Sequence, residues 1–207
     1  MQNQRFSIHS LTGFGIMQPK PVVLLDACVL YPYHLRDFLI HLSFTSKLYF
    51  PKWTTEIQNE WSRNLIKNHP ATSPKKVSRI QNLMNMAIPD ALIPEKNYKH
   101  RINSLSLPDK DDRHVLAAAI SEKHTPPDER VEAIITFNLK DFPKETLNLF
   151  SLQAITPDNL VIHLLQNDRS SVIKALYIQA SIMKSPPRRP SEVSNGISEK
   201  LWSYKNL

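Results

Sequence analysis

The run Pro21-Val-Val-Leu-Leu-Asp26-Ala-Cys-Val-Leu-Tyr-Pro32 constrains what this chain can fold into more than any other stretch. Five residues suited to a buried strand lead, without polar alternation, straight into a carboxylate. A continuous apolar run of this kind reads as a strand covered on both faces, the situation of strands in a parallel sheet. Asp26 then stands at the carboxyl end of that strand, the edge of an open α/β sheet where ligands and reacting groups collect. A plain helix cap is the competing reading of the same residue.

The remainder alternates strands and helices. Residues 33–47 place Leu35, Phe38, Leu39 and Leu42 on one helical face. Residues 48–50 read as a short second strand closed by Pro51. Thr55 and Gln58 have the spacing of a capping box for a helix that turns Ile57, Trp61 and Leu65 to the core. Glu56 and Glu60 repeat on a neighbouring stripe about 100° round that helix, and Glu60, beside Trp61, is the better placed to reach the sheet edge. Ser73-Pro74 opens a helix running to Met86, and residues 98–104 suggest another. Asp109, Asp111 and Asp112 crowd the head of an Ala-rich helical segment, where the helix dipole favours negative charge. Strands are expected at 131–137 and 152–155, and helices from Thr156-Pro157 onward and over 168–184. Beyond the Pro-rich break at 186–190, Val193, Ile197 and Leu201 make the tail amphipathic. The pattern predicts a three-layer α/β/α sandwich around a mostly parallel sheet. It divides into an N-terminal extension (1–20), one α/β domain (21–165) and a C-terminal helical extension (166–207).

Composition removes several function classes. With glycine only at 13, 15 and 196, no dinucleotide fingerprint or phosphate-cradling loop can be written. A single cysteine, Cys28, excludes an internal disulfide framework and a multi-cysteine zinc site, and makes a reducing, cytoplasmic setting the expectation. No apolar run approaches the roughly 20 residues that span a bilayer, and residues 1–20 lack the pattern of a secretory signal. The net charge of +7 points toward a polyanionic partner. Between Trp61 and Ile88 the chain carries Arg63, Lys67, Lys75, Lys76 and Arg79 and no acid.

Four features together suggest a chemistry: a carboxylate after the first strand, a glutamate on a helix, acids at the head of an Ala-rich helix, and Asn138 with Asp141 after a later strand. Oxygen donors of this type, several of them carboxylates, suit hard cations such as Mg²⁺ or Mn²⁺. Crowded carboxylates stay ionised only when a cation neutralises them. A phosphatase with Asp26 as nucleophile would also begin with a strand and an Asp, but it wants a second Asp where Cys28 stands.

The motifs Leu25-Asp-Ala-Cys-Val-Leu-Tyr-Pro32, Glu60, Asp112-Arg-His-Val-Leu-Ala-Ala-Ala119 and Thr136-Phe-Asn-Leu-Lys-Asp-Phe-Pro143 resemble, in order and spacing, the PIN domain. The resemblance covers residues 21–165 and implies a metal-dependent ribonuclease, in many members the VapC-like toxin of a type II toxin–antitoxin pair. It implies that Asp26, Glu60 and Asp112 hold Mg²⁺ or Mn²⁺, with Asn138 or Asp141 completing the set, and that Asp109 and Asp111 lie outside it. RNA, a cognate antitoxin and a second copy of the chain are the partners it implies. RNA would be guided by Arg63, Lys67, Lys75, Lys76, Arg79 and Arg113, and cleavage would leave a 5′-phosphate and a 3′-hydroxyl. The chain departs from the family pattern at Asn138, where an acid is usual, and at Cys28, where a small polar residue is usual. Those departures motivate one alternative, a catalytically weakened PIN-like RNA-binding module; a separate alternative is an active PIN nuclease of RNA maturation or decay.

Overall fold

A computed structural model describes residues 20–121 and 130–182. Its centre is a five-stranded sheet in the order β3-β2-β1-β4-β5, built from β1 (Val22–Leu25), β2 (Phe50–Thr54), β3 (Leu92–Ile93), β4 (Val131–Ile135) and β5 (Gln153–Ile155). Every neighbouring pair is parallel. All four residues of β1 are buried, as its uninterrupted apolar run requires. The chain lays β2 and β3 outward on one side of β1, then returns to the other side for β4 and β5. That reversal makes the seam between β1 and β4 the topological switch point of the sheet.

Between these strands come α1 (Ala27–Leu30), α2 (Tyr33–Ser46), α3 (Thr55–Asn68), α4 (Pro74–Ala87), α5 (Glu95–Tyr98), α6 (Arg113–Ser121), α7 (Lys144–Asn148), α8 (Pro157–Asn167) and α9 (Arg169–Ile182). α2 packs on α9 and α9 on α8, while α6 packs on β4 with α5 and a 3₁₀ turn (Lys99–Ser104) beside it. The expected three-layer α/β/α sandwich is therefore the observed architecture. Trp53, Trp61 and Tyr49 are completely buried in its core. Buried Tyr and Trp usually find a partner for their polar end: Tyr49 donates to Leu39 O at 2.7 Å and Trp53 Nε1 to Asn85 Oδ1 at 2.8 Å, whereas Trp61 Nε1 makes no hydrogen bond among the described residues. Ala117, Ala118 and Ala119 are completely buried, which lets α6 close on the sheet. Val172 and Ala175 of α9 belong to the same hydrophobic core. Among the described residues no helix is long and apolar enough to cross a membrane.

Several boundaries differ from expectation for identifiable reasons. β2 runs through Pro51 instead of stopping before it. Phe50 N donates to Pro21 O at 2.9 Å on the β1 side, whereas β3 pairs only from Trp53 onward, so the missing N–H of Pro51 leaves no ladder bond unmade. Thr54, not Thr55, caps α3, its hydroxyl accepting from Ile57 N at 3.0 Å. β3, two residues long, has no periodicity to read. Residues 98–104 form the end of α5 and the 3₁₀ turn, not a single helix. β4 ends at Ile135, before the expected Phe137. Ser73 caps α4 as expected, accepting from Lys76 N. The amphipathic tail and the end of the helix expected over 168–184 fall outside the described residues.

Candidate active site

Asp26 follows β1 directly, at the carboxyl end of that strand, and caps α1. Its Oδ1 accepts from Ala27 N at 2.6 Å, and its Oδ2 from Thr136 Oγ1 at 2.7 Å and Cys28 Sγ at 3.2 Å. Thr136 is the residue after β4, so this bond spans the switch point. The Asp26 amide donates to Ile135 O at 3.1 Å and binds the same two strand ends through the backbone. Burial raises the Asp26 carboxyl above the usual carboxylate range; the Thr136, Cys28 and Ala27 donors oppose this, and the charge of Glu60 adds to it.

Cys28 and Thr136 form one cluster around this carboxyl. The Cys28 thiol is 3.4 Å from Thr136 Oγ1 and accepts from Phe137 N at 3.4 Å. Burial, with the nearby Asp26 charge, pushes the thiol up to about 12, so it is neutral near pH 7 and serves as a donor. Thr136 Oγ1 also accepts from Asn138 N at 3.0 Å, which fixes the turn after β4.

Asp112 heads α6, its carbonyl accepting from Val115 N at 3.0 Å. Its carboxyl is pushed up to about 7, first by burial and then by the negative charges of Asp26, Asp109, Asp141 and Glu60. Residues far apart in the chain thus act on one carboxyl. Of the two candidates after β4, Asp141 is the one whose charge reaches Asp112, while Asn138 is exposed and opens a 3₁₀ turn (Leu139–Asp141). Asp109 contributes to the same field although sequence reasoning set it aside; Asp111 is exposed, its amide bonded to Asp109 Oδ1 at 2.8 Å.

Glu60 and Glu56 reach the site from α3 and are met there by His114 of α6, which is buried. His114 Nε2 lies 3.4 Å from Glu60 Oε2 and Nδ1 3.8 Å from Glu56 Oε2. Burial alone would lower the imidazole, but Glu60, Glu56 and Asp26 together outweigh it and hold His114 above its usual value. His114 and Thr136 were both inside motifs read from the sequence, yet neither was assigned a role. A polar residue inside an otherwise buried helical run, and a hydroxyl at a strand end, were the available signals.

Arg63 and Lys67, exposed on α3, follow Glu60 by three and seven residues and share its helical face. Lys75, Lys76 and Arg79 are exposed on α4, where Lys76 lines a groove with Tyr33, Ile40 and Leu83. Arg113 is half-buried, its Nε donating to Lys110 O at 2.9 Å.

Asp26, Glu60, Asp112 and Asp141 carry oxygen donors of the type that suits Mg²⁺ or Mn²⁺, and the charges of Asp26, Glu60 and Asp141 act on Asp112 as repulsion that a divalent cation would relieve. In their present side-chain positions, no three His, Cys, Asp or Glu residues among those described form a group able to hold an ion. The carboxyls sense one another's charge without meeting at a point.

Over 93 residues the chain is 30% identical to a Mycobacterium tuberculosis protein described as "Putative ribonuclease VapC50". The matched stretch is 45% of this chain and 51% of that protein, so the chain spans about half the length of this curated relative. No family model matches the sequence, and no solved structure matches it.

Proposed function

We propose that this protein is a metal-dependent endoribonuclease and the toxin of a type II toxin–antitoxin pair. The observation that carries the reading is the clustering of Asp26, Asp109, Asp141 and Glu60 around Asp112 at the carboxyl edge of the sheet, where burial first and then the charges of those four acids raise the Asp112 carboxyl. Clustered acids that destabilise one another are retained where charge is required for binding or catalysis. The partial identity to a protein named as a ribonuclease of the VapC type supports the choice of substrate and of an antitoxin partner.

In this reading Asp26, Glu60, Asp112 and Asp141, with Asn138 available as a neutral ligand, would hold Mg²⁺ or Mn²⁺. Such an ion, when bound, supplies an activated water and stabilises charge on the scissile phosphate. The chain's own residues do the rest. Ala27, Thr136 and Cys28 fix both oxygens of Asp26, so this carboxylate loses little freedom on binding. Asp112, near its midpoint at neutral pH, would hold the ion in its ionised form. Arg63 and Lys67, on the Glu60 face of α3, would hold the RNA backbone across the site, with Arg113, Lys75, Lys76 and Arg79 extending the basic surface. The setting is cytoplasmic.

A second reading, a PIN-like RNA-binding module with weakened catalysis, is favoured by the failure of three carboxyls to meet and by the neutral Asn138. Incubating the full chain with labelled RNA and Mn²⁺ separates the two. Cleavage that stops with chelator and is lost in Asp26→Asn supports the nuclease; RNA binding without cleavage in any divalent metal supports the module. The toxin assignment requires, in addition, growth arrest on expression that a protein encoded beside it relieves.

A further inference from the structure

The residue least explained by packing is His114. Its helix is buried from His114 through Ser121, and every other side chain there is apolar or, in Ser121, bonded to Ala118 O at 2.8 Å. A buried imidazole is costly unless its nitrogens are engaged. Its Nδ1 makes no hydrogen bond, and the closer of its two acidic neighbours is Glu60, 3.4 Å from Nε2. Glu60 and Asp112 sit on helices that follow different strands, and Glu60 is a long side chain with many rotamers to lose on binding. The imidazole, two residues after Asp112 on α6, is what ties the Glu60 carboxyl to the helix that carries Asp112.

We infer that His114 is a positioning residue that holds Glu60, through its Nε2 contact, in the orientation from which Glu60 and Asp112 can share one divalent ion. The inference rests on the nuclease reading and names the part of it that the side-chain positions leave open. It makes the imidazole a partner of the ligand carboxylate and not a ligand, a role whose loss costs metal affinity about 10- to 100-fold in comparable sites.

Two replacements of similar polarity distinguish positioning from mere filling of a buried space. The amide nitrogen of Gln stands near the place of Nε2, and that of Asn near the place of Nδ1. Mn²⁺ affinity of the full chain, measured by titration calorimetry on correctly folded wild type, His114→Gln and His114→Asn, gives the readout. His114→Gln should bind within about threefold of wild type and His114→Asn about tenfold or more weakly. Equal affinity in the two variants, whether both strong or both weak, overturns the inference. Asp26→Asn keeps the larger reading separate: if wild type binds Mn²⁺ and Asp26→Asn does not, while both His114 variants bind alike, the site stands and only His114's role falls. A wild-type chain that takes up no Mn²⁺ overturns both.

Discussion

Thr136 Oγ1 donates to Asp26 Oδ2 at 2.7 Å, joining the carboxyl ends of two adjacent parallel strands across 110 positions of sequence. The bond lies at the one seam of the sheet where the strand order reverses, the place at which open α/β folds gather reacting groups. One hydroxyl therefore orients the carboxylate and, through Asn138 N, the turn that bears Asn138 and Asp141.

Thr136→Val keeps the shape of this side chain and removes its oxygen. Asp26 loses a donor at a buried bond and Asn138 N an acceptor at a part-buried one. The cost to folding should be about 1–3 kcal/mol in urea denaturation, with Mn²⁺ affinity reduced by about tenfold. An unchanged midpoint and unchanged affinity would mean the bond is incidental.

Asp112 makes the metal-free protein sensitive to pH. Its unfolded carboxyl titrates near 3.8 and its folded one near 7, so the fold favours the protonated form. This contribution is fully present below pH 3.8 and disappears as the pH rises through 7. Asp112→Asn, permanently neutral, should therefore be the more stable protein at pH 8. Water screens a half-exposed carboxyl, so the gain is about 1–2 kcal/mol. It should vanish by pH 4, and saturating Mn²⁺ should reverse the ranking at pH 8. Denaturation at the two pH values, with and without metal, checks the sign.

Cys28 is a donor and not a nucleophile. With the thiol at about 12, the thiolate fraction at pH 8 is about one part in ten thousand. An aromatic disulfide reagent should modify the native chain at least about a hundredfold more slowly than the same chain in denaturant. Comparable rates would place the thiol in a different environment.

Ala118 is completely buried where α6 closes on the sheet. Ala118→Leu should overpack this contact at a cost of about 1–3 kcal/mol. Because the same helix carries Asp112 and His114, Mn²⁺ affinity should fall with stability. Calorimetric melting and a metal titration on one preparation test the coupling.

The sheet was legible where its strands are buried on both faces: Val22–Leu25 before Asp26, and Ala133, Ile134 and Ile135 before Thr136, are apolar without alternation and lie in the two central strands. β3 was not, since two residues carry no period, and Pro51 misled because strand breaking depends on which edge lacks the N–H. Ile57 and Trp61 faced the core as their spacing required, while the cap moved one residue to Thr54, a choice between adjacent threonines that spacing does not make. At the site, Asp26 and Asp112 could be singled out as acids at element ends, and Glu60 as an acid on the helical stripe beside the one that turns Ile57 and Trp61 to the core. The roles of Thr136, Cys28 and His114 lie mostly in tertiary contacts between residues remote in sequence, the Cys28–Asp26 and Thr136–Asn138 bonds being local.

The claim at the centre of this account is that Asp26, Glu60, Asp112 and the turn after β4 serve a single divalent ion. Mn²⁺ is paramagnetic and broadens the NMR signals of nuclei close to it. Substoichiometric Mn²⁺ added to the ¹⁵N-labelled full chain should selectively broaden the amides of Asp26, Glu60, Asp112 and residues 136–141 together, and Asp26→Asn should abolish the effect. Broadening confined to one of these segments, or centred elsewhere on the protein, would contradict it.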